Sequence, residues 1–479
     1  MASLGTFGSA QRKRLAERQQ WAPLDDPKKA LYWPSRMDAP ATPRPGHRRP
    51  RVLIIAQLAN PDWVSVPLVG WFHWHALSKV VDGHLVTHER NRQNILNAGE
   101  SPSRVTIIDT RRLDRPIRKL VERLQGQPDR GLTTETALGV FLYYYFESIL
   151  WRELGGRIRA QEWDIVHRLT PLSPAMPSLL AGKCARHRVP FVVGPLNGGL
   201  PWPKHFEHAR ISEREWLSYV REGYKLLPGY RGTRRHASAI ITGSRQTRFQ
   251  IAPSFQDRTV YVPENGIDPA RFARRRVGPV TTPLKVAFVG RFTLLKGVDM
   301  LIEAAAPLVR KGAVKLDLIG DGPQAPELRA LATRDGLPES IFAGWVANDK
   351  LQERLTRSDA FAFPSVREFG GGAVLEAMAL GLVPIVMDYG GPAEYVSPNT
   401  GFRLPMQSRP EIVVSLRSLL ERLVADTSPL EAMGERARAH MFRSFTWDAK
   451  AAQVLEIYRW VLGQRDKPDF GMPLPEPSP

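Results

Sequence analysis

Two α/β domains of the Rossmann type, each built on a parallel sheet and facing one another across a cleft, are what this chain of 479 residues asks for. The first reason is alternation. Short apolar runs with the composition of buried strands take turns with longer runs whose apolar residues recur at helical spacing, and that order builds parallel sheets. The second reason is an interruption: the alternation stops at the polar, proline-containing stretch RRRVGPVTTPL, 274–284, and then starts again. The third is length, because a single hydrophobic core does not grow to this size.

The elements follow in order. APATPRPGHRRPR, rich in proline and arginine, predicts an unpacked basic arm over residues 1–50. RVLIIAQLA, 51–59, reads as the first buried strand. RVTIIDT, WDIVHRLT, VPFVVGPLNGG at 189–199, ASAIITGS at 237–244 and TVYVPENGID at 259–268 continue the series, with helical patterns such as PIRKLVERLQ between them. These make a first domain over 51–275. A second, over 276–445, reads as strand KVAFVG, helix VDMLIEAAAPLVRK, strand VKLDLIG, helix APELRALATRDG, strand SIFAGWV, helix LQERLTRS and strand AFAFPS. A glycine-rich turn with its helix and the strand VPIVMD complete it. SFTWDAKAAQVLEIYRWVLG again carries apolar residues at helical spacing. It predicts a helix over 446–465 that packs back across the cleft, before a tail at 466–479.

Apolar residues make up 43% of the chain, as in soluble globular proteins. The single cysteine, Cys184, excludes a disulfide framework, fits a reducing compartment and reads as a buried small hydrophobe. The formal charge of +19 bears on partners rather than on fold. Nucleic acid is not expected, since no aromatic-interleaved RNA motif, zinc finger or basic zipper is present. The first residues lack the apolar core and cleavage site of a secretory leader, and the longest apolar stretch, ALGVFLYYYF at 137–146, is too short to span a bilayer. The expectation is a cytoplasmic protein whose contact with the inner face of the cell membrane is peripheral at most. VFLYYYFESILWRELGGRIRA allows two readings, a core helix ending in solvated arginines or an amphipathic face on an anionic membrane. The basic arm and the arginine-rich linker would assist the second.

The chemistry concentrates in REFGGGAVLEAMALG, 367–381. Glu368 falls at the carboxyl end of a strand, where open α/β sheets bind their ligands. Gly370, Gly371 and Gly372 let the backbone approach a ligand and present its amides. A helix beginning near Gly372 and ending before Gly381 points its positive end at any anion there. Glu376 lies about one turn inside. Carboxylates accept hydrogen bonds from hydroxyls, so an acid, a row of amides and a second acid suit a diphosphate held between two sugars, that is, a nucleotide sugar. FVGRFTLLKG, 288–297, adds Arg291 and Lys296 on the loop after Gly290, two cations placed to neutralise a pyrophosphate leaving group. No Asp-x-Asp occurs, so metal-held diphosphate is not expected.

Together these stretches resemble the retaining glycosyltransferases of family 4, which have the two-domain GT-B fold. LIGDGPQAPEL, FAGWVANDKLQERLTRSDAFAFPS, EAMALGLVPIV, GGPAEYV, VPENGID and FTWDAKAAQVLEIY extend the resemblance over about 240–460. The resemblance implies that Arg291 and Lys296 hold the donor diphosphate and that Glu368 binds sugar hydroxyls. It implies that the amides of Gly371, Gly372 and Ala373 cradle phosphate and sugar, that Glu376 binds the ribose, and that Trp345 and Val346 read the base mostly through main chain. Taken alone, Trp345 reads as packing. Gly70 stands where the family has one of two glycines in a loop after the first strand; its companion is absent. His167 matches the first position of a strand-end His-x-His segment that contacts sugar, with Leu169 at the second, against the reading of a satisfied core histidine. Asn197 and Gly198, at another strand end, face the acceptor side. His73 and His75 lack the acidic third ligand of a metal site.

The activity implied is metal-independent, retaining transfer of a hexose from a nucleotide sugar to a saccharide or lipid-linked saccharide in surface polysaccharide or glycolipid synthesis. The leaving phosphate would assist attack on the same face, and no cofactor is called for. A dehydrogenase is the reading suggested by GDGPQA, 320–325, which fits a dinucleotide fingerprint. That fingerprint should open the first βαβ unit, and Pro323 removes an amide. A nucleotide-sugar epimerase would need no acceptor. A non-catalytic binding protein has no need of all four of Arg291, Lys296, Glu368 and Glu376.

Overall fold

A computed structural model describes residues 48–63, 65–112, 132–206, 223–276 and 278–470. The arm up to residue 47, PIRKLVERLQ and the tail from 471 lie outside the described residues. β1 Arg51–Ala56, β2 Asp82–His88, β3 Val105–Ile108, β4 Ile165–Thr170, β5 Phe191–Leu196, β6 Ala239–Thr242 and β7 Thr259–Tyr261 form a seven-stranded sheet in the order β3-β2-β1-β4-β5-β6-β7. β8 Leu284–Val289, β9 Val314–Ile319, β10 Phe342–Gly344, β11 Ala360–Phe363, β12 Val383–Met387 and β13 Phe402–Leu404 form a six-stranded sheet in the order β10-β9-β8-β11-β12-β13. All these pairings are parallel.

The sequence pattern overlooks two strands. In β2, DGHLVTH, polar residues break the apolar run, and the sheet accepts them because each finds a partner. His84 bonds Thr106 Oγ1 at 2.8 Å, His88 bonds Thr110 Oγ1 at 2.6 Å, and Thr87 accepts from Asn91. β13 is three residues at a sheet edge.

The first sheet is covered on both faces, which is why β1 reads as one apolar run. Val52, Ile54 and Ala56 point into one cluster, Leu53 and Ile55 into the other, following the two-residue period of a strand. The first cluster includes Trp71 and Trp74 of α1, Val66–Leu77; the second includes Tyr143, Phe146, Ile149, Leu150 and Leu154 of α2, Leu132–Arg159. The second domain has its own core, into which α3, Gly372–Ala379, and the short α4, Gly391–Tyr395, send Val374, Leu375 and Tyr395.

The chain then returns. Trp447, Ala451, Val454, Ile457 and Tyr458 of α5, Trp447–Val461, are buried with α1 in a cluster of the first domain. Fully burying each large side chain contributes roughly 1.5–3 kcal/mol, so α5 is a strong tie.

The stretch 140–160 divides between core and surface. Tyr143 and Phe146 of α2 are core while Phe141 is 64% exposed, and the terminal arginines lie over indoles, Arg157 on Trp163 and Arg159 on Trp151. The linker arginines are paired as well. Arg274 meets Glu353 at 3.2 Å, Arg275 meets Glu435 at 3.6 Å, and Arg276 meets Asp359 at 3.0 Å. Among the described residues no helix is long and apolar enough to cross a membrane.

Candidate active site

The order β10-β9-β8-β11-β12-β13 reverses between β8 and β11. Crossovers leave the sheet in opposite directions there, so a crevice opens at the carboxyl ends of these two strands. Two loops fill its rim and are stitched together, since the Leu295 carbonyl accepts from the Val366 amide at 2.9 Å and from the Ser365 hydroxyl at 2.8 Å. This stitch sets Lys296 directly against Glu368 as an ion pair. The other Glu368 oxygen accepts from the Gly371 amide at 3.3 Å.

The turn is held by its carbonyls. That of Glu368 accepts from the Gly391 amide at 3.0 Å, that of Phe369 from Asn197 Nδ2 at 3.5 Å, and that of Gly370 from the Tyr395 hydroxyl at 2.5 Å. The free edge is therefore the amide edge, and α3 begins on it, with first amides that have no intrahelical acceptor. Gly371 has φ +62°, and a Cβ there would sit 2.8 Å from Pro392 Cγ, so the turn needs glycine twice over.

Around this edge the polar groups are unfinished. Arg291 is exposed and makes no hydrogen bond or ion pair with the described residues. Glu376 is half-buried, and burial pushes its carboxyl above the ordinary range while the charge of Arg271 pulls it back. It accepts no hydrogen bond from the described residues and lines a small cavity with Arg271, Phe272, Leu351 and Gln352. The loops after β9 and β10 continue the rim: the Gly290 amide donates to Ile319 at 3.0 Å and the Gly320 amide to Gly344 at 2.9 Å. Trp345, at 79% exposure, is not a packing residue; Val346 is half-buried against the core. The loops and helix that follow β8 and β11 thus carry Gly290, Arg291, Lys296, Glu368, Gly371, Gly372, Ala373 and Glu376, with Lys296 and Glu368 in direct contact and Trp345 and Val346 on the loop after β10. Two cations, a helix amino end and two carboxylates can hold an anionic centre with a hydroxylated group on either side.

GDGPQA packs against this rim instead of opening a dinucleotide site. The Phe292 amide donates to Asp321 at 2.9 Å, and the bare Gly322 lies against the Phe292 backbone.

The first sheet corrects two expectations. Gly70 is not in a loop but inside α1, buried against the Leu58 carbonyl, and that contact accounts for the missing side chain. His167 is fully buried in β4. Its Nε2 donates to the Gly194 carbonyl at 2.7 Å, so its Nδ1 accepts from the Tyr458 hydroxyl at 2.6 Å. Burial lowers its pKa to about 4. It is a satisfied core histidine that fastens α5 to the sheet. His73 is buried too, and burial with the Lys450 charge lowers its pKa to about 3. Cys184 is buried and its thiol is pushed up to about 12. Asn197 reaches the junction of the two domains, donating to the Phe369 carbonyl at 3.5 Å, whereas the Gly198 amide donates to Thr247 Oγ1 within the first domain at 3.2 Å.

Several residues at the junction are invisible in the sequence as partners. Glu394 of α4 accepts from the Arg245 amide at 2.9 Å and from the Tyr261 hydroxyl, and burial raises its carboxyl to about 7. Arg367, buried, donates to the Leu200 carbonyl at 3.2 Å. Glu264 and Lys450 lie behind Asn197. The stretches VPENGID and GGPAEYV carry Glu264, just past the end of β7, and Glu394, in the short helix that follows β12.

Comparison with known proteins agrees with this geometry. Residues 270–440 match the family described as Glycosyl transferases group 1. A 2-deoxystreptamine glucosyltransferase of Streptomyces kanamyceticus is 28% identical over 303 residues, 60% of this chain and 75% of that protein. A glycosyltransferase of Methanocaldococcus jannaschii, described as uncharacterized, is 26% identical over 237 residues, 47% of this chain and 60% of that protein. A solved glycosyltransferase from Rickettsia africae superposes with a TM-score of 0.56 at 13% identity, covering 88% of this chain and all of that one. The fold is GT-B. A further GT-B-like neighbour, from Anabaena, was solved with UDP; it has a TM-score of 0.52 at 17% identity and covers 85% of this chain and 98% of its own.

Proposed function

We propose that this GT-B protein is a retaining glycosyltransferase that moves a hexose from a nucleoside-diphosphate sugar to a hydroxyl of a saccharide or lipid-linked saccharide. The observation that carries the reading is the set of Arg291 and Lys296, Glu368 against Lys296, and the unpartnered Glu376 around the amide edge of α3. In this reading the diphosphate lies across the two cations and the α3 amides. When the glycosidic bond breaks, negative charge grows on the leaving diphosphate, and those fixed groups stabilise it without reorganising. Glu368 orients the departing sugar and Glu376 holds the ribose. Trp345 and Val346 border the base. The excess positive charge extends the reading to an acceptor presented at an anionic surface.

Incubation with a panel of nucleotide sugars, with and without oligosaccharide and lipid-linked acceptors, tests the activity. The expected result is acceptor-dependent product with the donor's anomeric configuration, read by proton NMR. Interconversion of the donor sugar without an acceptor would mean an epimerase. Co-sedimentation with anionic vesicles at low salt, lost at high salt, is expected for the surface contact; absence of anionic binding at low salt would remove it.

A further inference from the structure

Behind the Glu368 loop lies a buried polar group that the donor site does not use. Asn197 follows β5 and is 8% exposed; Glu264 follows β7 and is 9% exposed. Asn197 Nδ2 donates to Glu264 Oε2 and, at 3.5 Å, to the Phe369 carbonyl. Two acceptors on one side fix the amide's orientation, since a flipped amide would set oxygen against oxygen. Its Oδ1 is then a buried acceptor that receives no hydrogen bond from the described residues. Such atoms are seldom left alone, because a lone pair stripped of water keeps its desolvation cost until a donor arrives. The second carboxylate oxygen of Glu264 also receives no hydrogen bond from the described residues.

Lys450 of α5 closes the group from behind. It is fully buried, and its ammonium donates to the Pro263 carbonyl with its charge facing Glu264. His73 of α1 reaches the Glu264 main-chain carbonyl at 3.3 Å and is neutral. Burial pushes the Glu264 carboxyl up. Asn197 and Lys450 pull it down, and Glu368 across the loop pushes it up again. The groups facing this carboxyl are thus Asn197, Lys450 and Glu368, with His73 at its main chain.

Next to the α3 amide edge there is therefore a pair of acceptors without donors. A phosphate, itself an acceptor, is the wrong partner for them; a sugar hydroxyl is the right one. We propose that Asn197 and Glu264 form a hydroxyl-recognising subsite for the transferred sugar. Lys450 is the positioning residue that keeps Glu264 ionised. The subsite rests on the donor reading above, and it makes the first domain and the returning helix part of sugar selection.

Calorimetry on the full chain separates the subsite from the diphosphate site. UDP, GDP, ADP and dTDP select the nucleotide, and its hexose conjugates then select the sugar. In Asn197→Ala and Glu264→Gln the nucleoside diphosphate binds as in the unmodified protein, while the conjugate binds about tenfold or more weakly. Equal weakening of both ligands, or unchanged binding of the conjugate, overturns the subsite. An unmodified protein that binds neither ligand overturns the donor reading itself. Glu264→Gln and Lys450→Met keep side-chain size, and a thermal melt verifies that they fold. In Lys450→Met the lost cation lets Glu264 hold its proton to higher pH. The acidic limb of the KM profile for the sugar nucleotide then moves to higher pH, while the Kd of the nucleoside diphosphate does not change. An unmoved limb overturns the part given to Lys450.

Discussion

Asn197 and Glu264 apart, the carboxyl edges of the two sheets carry similar residue types in opposite states. On the second, Arg291 and Glu376 lack hydrogen-bond partners among the described residues and the first α3 amides have no intrahelical acceptor, while Lys296 pairs with Glu368 over the Phe363 ring and Glu368 takes one amide. On the first, His167 uses both ring nitrogens, His73 is buried and neutral, and Gly70 is explained by a carbonyl against its α-carbon. Polar residue type at a strand end is shared by a site and by a well-built core. Unfinished hydrogen bonding distinguishes them, because leaving a polar group unpaired costs stability that only a ligand returns.

The largest effect that would break this comparison is at the unfinished edge. Arg291→Ala and Lys296→Ala each remove a fixed charge worth about 3 kcal/mol to a developing diphosphate anion, so kcat falls by about two orders of magnitude or more. Thermal stability stays close to that of the unmodified protein for Arg291→Ala, whose side chain holds nothing in place. Steady-state rates with the selected donor measure this, and full activity in either variant would sink the assignment of the crevice.

The finished edge should behave in the opposite way. His167→Ala strands the Tyr458 hydroxyl and the Gly194 carbonyl and costs about 1–3 kcal/mol of stability. Gly70→Ala forces a methyl group onto the Leu58 carbonyl and costs about 1–3 kcal/mol. Urea unfolding measures both. At temperatures where the variants are folded, kcat is unchanged. A specific loss of kcat in His167→Ala, with stability intact, would move that histidine back into a site.

Much of this contrast was legible in the sequence, and the limit is physical. Period and composition sufficed for the strands of both sheets, except for β2, which hides its polar residues by pairing them, and β13, three residues at a sheet edge. The crevice was legible because its glycines and charges lie within two short stretches, 288–297 and 367–376. The junction was not. Asn197 and Glu264 are 67 residues apart, and His167 meets Tyr458 across 291. Nothing local in a histidine reports whether a tyrosine from a returning helix will satisfy it. Trp345 errs the other way: an isolated tryptophan reads as core, and only the fold shows it at the surface.

The junction can be sharpened by pH. Burial raises Glu394 from its ordinary 4.5 to about 7, partly offset by Tyr261 and Arg245. A carboxyl held up in the folded state favours its protonated form. The resulting stability is present below pH 4.5 and is lost as pH rises toward 7. His167 and Lys450, both held down by burial, gain stability as pH rises, so the raw pH profile mixes signs. The difference between Glu394→Gln and the unmodified protein isolates the term. The variant should gain relative Tm between pH 4.5 and 7 and hold that gain above it, by an amount worth a few kcal/mol at most. A difference that stays flat with pH would mean Glu394 is ionised throughout and its tie to Arg245 is an ordinary ion pair.

The smallest expected effect is none, and it concerns the charge balance of the crevice. A sugar nucleotide brings two phosphates, and enzymes that hold them on a divalent cation supply carboxylates for that cation. Here the carboxylate nearest the amide edge, Glu368, is occupied by Lys296, and the chain has no Asp-x-Asp. Arg291, Lys296 and the amino end of α3 already provide fixed positive charge where a diphosphate would lie. Adding a cation would set it against Lys296 instead of against an open acid. Transfer after exhaustive dialysis into excess chelator should therefore proceed at the original rate, and added magnesium or manganese should not raise it. Complete loss of activity, restored by either metal, would show that Glu368 leaves Lys296 to hold a cation when donor binds, and that the ion pair belongs only to the empty crevice.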